Sequence, residues 1–338
     1  MQIQENISLK QFNSFGIDVM AKYFAAFNSV ETLQEILIQP ITKLHSTMIL
    51  GGGSNILLTS DVEAIVLKNE IAGIEKVSED ESYYYIKAGA GVGWHQFVLY
   101  CIDKGYSGVE NLALIPGNVG ATPMQNIGAY GAEIKDVFYS LEAVNLEDNN
   151  LVVFYNADCE FGYRESVFKN KYKNQFVITS VTYRLNKIPT FNIAYGAISN
   201  ELEKMHVADL SIKSIAQAVM NIRNSKLPNP KEIGNAGSFF KNPEISINLF
   251  NDLKAAYPSI VGYPTDNDKV KIAAGWLIEQ AGWKGYREGD AGCHDKQALV
   301  LVNFGNATGI EIFALSEKII SSVHEKFGIF LHVEVNII

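Results

Sequence analysis

The chain has 338 residues, 47% hydrophobic and 19% charged, enough to build full cores in two domains or three lobes. A formal net charge of −9 argues against a nucleic-acid partner but leaves room for a small anionic ligand held by local donors. Cys101, Cys159 and Cys293 are scattered and form no CxxC pair, so neither a disulfide framework nor a zinc site is expected. The first residues lack the basic and apolar regions of a signal peptide, and no apolar run reaches spanning length. A reducing cytosol, with no membrane partner, is the expected setting.

Taken in order, residues 31–38 have a helical pattern and Met48–Leu50 a strand pattern. Gly51-Gly52-Gly53-Ser54-Asn55 then leads into a second strand at 56–58. This is not a Rossmann fingerprint, because Ile56 stands where the third glycine would be and no helix follows. The ordinary reading of the turn is a tight hairpin; Ser54 and Asn55 favour exposed N–H groups that are used. Strands are expected at 63–67 and 83–88, then a helix over 94–104 with Trp94, Phe97, Val98, Cys101 and Ile102 on one face and Gly105 as its cap. Further strands are expected at 138–145, 151–155 and 176–185, and a connection at 186–205. Beyond it, helices are expected at 211–223, 247–255 and 268–281, and a strand from Gln297 to Asn303. Thr308-Gly309-Ile310-Glu311 reads as a capping box opening a helix that Gly328 ends, and a strand over 330–338 closes the chain.

Residues 108–136 stand apart as a long loop with neither helical nor strand period. Gly117, Gly120, Gly128 and Gly131 punctuate it, Pro116 and Pro123 stiffen it, and no Lys or Arg occurs between Gly105 and Ile134. An anion bound here would be held mainly by backbone N–H groups, helped by Thr122, Gln125, Asn126 and Tyr130. The alternative is a large ordered connection between subdomains.

Four shorter stretches carry chemistry. Arg164, in Phe161-Gly162-Tyr163-Arg164-Glu165-Ser166, could fork onto a carboxylate or phosphate, or pair with a neighbouring glutamate at the surface. Ser238 lies in a glycine-flanked turn before two aromatics, Phe239 and Phe240; no GxSxG elbow is present, and a plain hairpin is the alternative. Arg223 and Lys226 precede the stiff Leu227-Pro228-Asn229-Pro230, which suits a diphosphate or simply a solvated helix end. Strand alternation would put His332, Glu334 and Asn336 on one face.

Together, GGGSN, IPGNVGATPMQNIGAYG, FGYRESVFK, RNSKLPNP, GNAGSFFKNP and the late Glu334 closely resemble the UDP-N-acetylenolpyruvoylglucosamine reductase family, in order and over nearly the whole chain. Tyr195-Gly196 resembles the tyrosine loop of that family's longer type. The resemblance implies an α+β chain with a vanillyl-alcohol-oxidase-type (PCMH-like) FAD-binding fold. Residues 1–60 and 61–205 would form two FAD subdomains, residues 206–328 an α/β substrate domain, and residues 329–338 a strand carrying Glu334. It implies Arg164, Ser238 and Glu334 as catalytic residues, with substrate contacts at Tyr195, Arg223, Lys226, Asn242 and Gln297. FAD contacts would come from Gly51, Gly52, Gly53, Ser54 and Asn55, and from Ile115, Pro116, Gly117, Gly120, Thr122, Gln125, Asn126, Gly128, Tyr130 and Gly131. Ala121-Thr122 departs from the Gly or Ser that relatives often carry, though Thr122 keeps a hydroxyl.

The implied activity is NADPH-driven reduction, through non-covalent FAD, of an enolpyruvyl UDP-sugar to UDP-N-acetylmuramate. That would place a monomeric bacterial cytoplasmic enzyme, without a metal, in cell-wall biogenesis, and so in cell shape and division. Two other readings stay open at this stage: a sugar or lactone oxidase of the same FAD fold, and a nucleotide-binding protein without turnover. Relatives that tether flavin covalently often place a His beside the first glycine turn, and GGGSN has none.

Overall fold

A computed structural model describes residues 2–265 and 268–338. The chain divides into two compact units, both discontinuous in sequence. The first contains the stretch ending at Ile7, Ala21–Gly52 and Val62–Ser225; the second contains Ser8–Met20, Gly53–Asp61 and Lys226–Ile338.

The first unit holds two sheets. The smaller runs in the order Gln4–Ser8, Met20–Phe27, Val62–Asn69, Thr47–Leu50, and the last three strands are parallel. Helix Val30–Leu37 is capped by Ser29, whose hydroxyl accepts the Thr32 N–H. It buries Leu33, Ile36 and Leu37 against Phe27, Ile65 and Leu67 of this sheet and against Val144 and Val177 of the larger one. The larger sheet is antiparallel, in the order Leu151–Tyr155, Phe138–Asn145, Phe176–Asn186, Tyr83–Gly89, Ile74–Glu79. Its central strand, FVITSVTYRLN, is almost wholly buried, as its β-branched and aromatic content favours. The edge strand 74–79 lay outside the expectation from sequence. It is mostly exposed and polar, so it lacks apolar alternation, and charge on an edge is a usual guard against mispairing.

Helix Trp94–Lys104 forms as expected, and Gly105 caps it at φ +74°. Its Trp94 and Phe97 pack with Tyr183 from the central strand. The connection expected at 186–205 contains a helix, Gly196–Lys204, too short and too polar to announce itself; it buries only Ile198 and Leu202. Helix Ile212–Lys226 also differs from the expected partition. Its Ala216, Ala218, Val219 and Ile222 join the core of the first unit instead of opening a separate domain.

In the second unit an antiparallel sheet runs Gly234–Asn235, Leu301–Asn303, Ala291–Cys293, Arg287–Glu288. A smaller antiparallel sheet sets Lys269–Ile272 between Glu244–Ser246 and Gly262–Pro264. The helix expected over 268–281 is therefore a strand followed by helix Ala274–Gln280. Lys-Val-Lys-Ile alternates with period two and buries Val270 and Ile272, and pairing on both sides outweighs its helical compatibility. The strand expected from 297 is confined to Leu301–Asn303, and that expected over 330–338 to Asn336–Ile337, preceded by a single bridge from Val333 to Phe240. Helix Gly309–Phe327 carries the expected capping box between Thr308 and Glu311. Among the described residues no helix is long and apolar enough to cross a membrane.

The GGGSN turn is not a hairpin. Thr47–Leu50 before it pairs with Val62–Asn69, and Ile56–Leu57 after it pairs in parallel with Asn336–Ile337.

Candidate active site

The loop 108–136 has little regular structure: three single 3-10 turns and a two-residue ladder between Gly128–Ala129 and Ala132–Glu133. It is ordered by stitches to the start of helix 94–104 and the turn before it. The Val119 and Gly120 N–H groups donate to the carbonyls of Val92 and Ala90 at 2.8 and 3.0 Å. Trp94 donates its backbone N–H to the Gly117 carbonyl and its indole N–H to the Leu112 carbonyl, each at 2.9 Å. The amide of Gly120 thus serves the scaffold.

The uncharged side chains of the loop divide. Thr122 is 1% exposed, and its hydroxyl lies 2.8 Å from the Val119 carbonyl and 2.7 Å from the Tyr183 hydroxyl. Asn126 is fully buried; its amide donates to Glu133 Oε2 and to the Gly162 carbonyl and accepts the Lys135 N–H, all at 3.0 Å. These two differ from the expectation that their side chains face a ligand. A loop with so short a ladder must satisfy most of its buried backbone by other means, and these side chains contribute to that. Ile115, Gly117, Gln125, Gly128 and Tyr130 are half-buried, and Pro116 and Gly131 are exposed.

Four non-glycine residues around the loop have left-handed backbones: Leu114 (φ +61°), Asn126 (+42°), Tyr130 (+50°) and Arg164 (+57°). Each such conformation costs about 1–2 kcal/mol, so the surrounding bonds must hold it. Arg164 sits in a turn closed by Gly162 and Glu165, and its Nη2 donates to the Gly128 carbonyl at 2.6 Å. A Cβ on Gly128 would lie 3.0 Å from Arg164 Nη1 and 2.9 Å from the Ala132 carbonyl. Only glycine lets the guanidinium lie this close to the ladder. Ser166 fastens the same segment, donating to the Met124 carbonyl at 2.6 Å.

A second polar group forms at the other end of the loop. Arg223 donates its Nε to the Leu114 carbonyl at 3.2 Å and bonds the Tyr130 hydroxyl. Burial lowers the pKa of Arg223 and raises that of Tyr130. Among the described residues no carboxylate pairs with Arg223; both partners are neutral. Tyr130 meets the half-exposed Tyr195 edge-on at 5.4 Å between ring centres. Asn111 ties the tyrosine segment down, donating to the carbonyls of Tyr130 and Asn192 at 3.0 and 2.8 Å. His95 Nδ1 accepts the Leu114 N–H at 3.1 Å.

In the second unit Ser238 is exposed, after a turn in which the Gly237 N–H donates to Asn235 Oδ1 at 3.0 Å. The Phe239 N–H donates to the Leu299 carbonyl, and the Glu334 N–H donates to the Phe239 carbonyl at 2.8 Å. Ser238 and half-buried Glu334 are thereby held on neighbouring extended segments. Asn242 Oδ1 accepts the Ala274 N–H at 3.0 Å, and Gln297 Oε1 lies over Gly275, 2.8 Å from where its Cβ would be. Two residues distant in sequence thus converge on one helix start, while Lys226 is exposed at the end of its own helix. In the glycine turn, the Gly53 carbonyl accepts the Ser14 N–H, and the Asn55 carbonyl accepts both the N–H and the amide of Asn336. The Gly51 carbonyl accepts Lys68 Nζ at 2.7 Å.

An FAD binding domain family matches residues 21–154, and the C-terminal domain of UDP-N-acetylenolpyruvoylglucosamine reductase matches residues 229–338. The UDP-N-acetylenolpyruvoylglucosamine reductase of Flavobacterium johnsoniae is 51% identical over the whole of both chains. The chain belongs to this reductase family. The proteins of the same name from Amoebophilus asiaticus and Pseudomonas savastanoi are 49% and 47% identical, covering all of this chain and 100% and 99% of theirs. The crystal structure of the reductase from Thermus caldophilus superposes with a TM-score of 0.69 at 23% identity, covering 100% of this chain and 99% of that one. The fold is thus the expected α+β architecture, an FAD-binding part with a further α/β part.

Sequence reasoning missed His95, Asn111, Asn192 and Lys68. Their signal was weak: Lys68 and His95 are lone polar residues in segments whose apolar pattern explains itself, and Asn111 and Asn192 are ordinary loop residues. His95, off the apolar stripe of its helix and next to the buried Trp94, could have been singled out.

Proposed function

We propose that the chain reduces UDP-N-acetyl-3-O-(1-carboxyvinyl)-glucosamine to UDP-N-acetylmuramate for peptidoglycan synthesis, with FAD as cofactor and NADPH as reductant, as a cytoplasmic monomer. Family membership supports the reading, and one observation carries it. Arg223 is a half-buried cation whose partners among the described residues are all neutral. A partly desolvated charge without a carboxylate partner suits an anion, and a nucleotide diphosphate supplies one.

The residues fit a bound flavin dinucleotide. Gly52 lies so close to the loop that a Cβ there would meet Asn118 Oδ1 at 2.9 Å and the Gly117 Cα at 3.0 Å. The loop beside it lacks Lys and Arg from Gly105 to Ile134. Backbone N–H groups at close range suit phosphate. Residues 51–55 and the loop from Ile115 to Gly131 would hold FAD, with Thr122 and Asn126 contributing through their backbone. Once reduced by NADPH, a bound flavin would supply the hydride that the vinyl CH2 carbon takes.

Arg164 would bind the substrate carboxylate and draw charge toward it, favouring an enol-like form of the acceptor. Ser238 would give its hydroxyl proton to the neighbouring carbon. Glu334 would hydrogen-bond near the same carboxylate. Tyr195, Arg223, Lys226, Asn242 and Gln297 would hold the UDP moiety.

The test mixes purified protein with NADPH and the enolpyruvyl substrate. Nicotinamide absorbance should fall only when both are present, and acid should release yellow flavin into the supernatant. Oxygen consumption with simple sugars would point to an oxidase, and UDP-sugar binding without turnover to a non-catalytic protein. Colour that stays with the precipitated chain would overturn non-covalent binding.

A further inference from the structure

We propose that His95, as its neutral Nε2–H tautomer, is a positioning residue that sets the backbone of Leu114 and, through the Leu114 carbonyl, the guanidinium of Arg223. The inference rests on the reading above that the segment after Leu114 contacts FAD. The Leu114 N–H can only donate, so the Nδ1 it meets at 3.1 Å must be an acceptor, and the ring proton lies on Nε2. Leu114 has φ +61°, a conformation that an apolar side chain does nothing to favour. With the N–H fixed by His95, the carbonyl of the same residue accepts Arg223 Nε at 3.2 Å. The next residues are Ile115, Pro116 and Gly117, where the loop joins the Trp94 N–H. One imidazole therefore governs both the entry of the ligand loop and the placement of the Arg223 guanidinium.

The same geometry makes the arrangement sensitive to protonation. An imidazolium would oppose one N–H to another and add a second cation beside Arg223. The charge acting on His95 is Arg223, on helix 212–226; on the loop the ionisable neighbour of that arginine is Tyr130, neutral at these pH values; among the described residues no carboxylate acts on His95. Burial first, and Arg223 second, hold its pKa below the ordinary 6.5. Above that value the ring is neutral folded or unfolded, and nothing is lost. Below it the unfolded chain takes up a proton that the folded chain resists, so the ordered loop loses stability as pH falls.

The experiment measures FAD affinity by fluorescence and Leu114 amide protection by hydrogen exchange, between pH 7.5 and pH 5.5, in wild type and three variants. His95→Asn keeps an acceptor at the δ position without titrating; His95→Gln moves the acceptor outward; His95→Ala removes it. Wild type should bind FAD more weakly as pH falls below about 6.5. His95→Ala should lose about tenfold in affinity at pH 7.5, the order expected for one hydrogen bond. His95→Asn should recover most of that and flatten the pH profile, whereas His95→Gln should do neither. Equal rescue by Asn and Gln, or a wild-type pH profile in His95→Asn, would overturn the proposal. If wild type binds no FAD, it is the cofactor reading that fails. The protection of the Leu114 amide, expected in wild type and His95→Asn and lost in His95→Gln, then decides on His95 alone. If His95→Ala does not fold, the Asn and Gln pair carries the same comparison.

Discussion

Asn126 is the most informative single position for how this loop is held. Its side chain makes three hydrogen bonds of 3.0 Å at a site with no solvent exposure. At about 1 kcal/mol net each, they contribute about 3 kcal/mol. Asn126→Ala removes all three and leaves an alanine at φ +42°, a conformation that asparagine tolerates better, for about 1 kcal/mol more. The expected destabilisation is thus about 4 kcal/mol. Asn126→Gly removes the same bonds but relieves the backbone, so it should cost about 3 kcal/mol. Asn126→Asp keeps the acceptor for the Lys135 N–H but sets a carboxylate against Glu133 Oε2; the deficit should shrink as pH falls and the pair takes up a proton. Urea unfolding of the variants measures these differences. Because Asn126 also holds Gly162, in the turn that presents Arg164, turnover should fall in each variant even where the protein remains folded. An alanine variant within 1 kcal/mol of wild type would refute the reasoning on the bonds; a glycine variant less stable than alanine would refute the reasoning on the backbone.

Lys226→Ala should raise KM for the UDP-sugar more than it lowers kcat, since an exposed point charge at a helix end clamps without taking part in chemistry; a change confined to kcat in steady-state kinetics would contradict this. Ser238→Ala should leave reduction of the flavin by NADPH nearly intact and slow its reoxidation by the enolpyruvyl substrate by about 10²–10⁴-fold, with partial recovery in Ser238→Cys. Stopped-flow spectroscopy of the flavin band separates the two half-reactions, and equal loss of both would make the Ser238 turn structural.

Much of the fold was legible wherever one residue pattern decided one element. The stripe of Trp94, Phe97, Val98 and Cys101 with Gly105 behind it, and the Thr308–Glu311 box, are local signals with local causes, and the helices follow them. The reading failed where pairing decides. Lys269–Ile272 is a strand because of its neighbours on both sides, and Ile74–Glu79 because an edge needs no apolar face. Within the loop, glycine content and the missing cations singled out the stretch. They could not say which polar side chains turn inward, since Thr122 and Asn126 differ from Gln125 and Tyr130 only in the backbone they must satisfy.

The division of the chain constrains the order in which its parts can fold. Val62–Ser225, the bulk of the first unit, is one uninterrupted stretch, whereas the second unit is assembled from Ser8–Met20, Gly53–Asp61 and Lys226–Ile338. Leu9, Phe15, Leu57 and Leu58 are all at most 1% exposed in the folded protein. During synthesis these early apolar segments emerge long before the residues of their own unit that cover them, and loop closure over so many residues is slow. They are therefore the surfaces most open to chaperones, and to aggregation, while the chain grows. For the same reason a fragment cut after the 212–226 helix, though it keeps all of the first unit, would leave them bare.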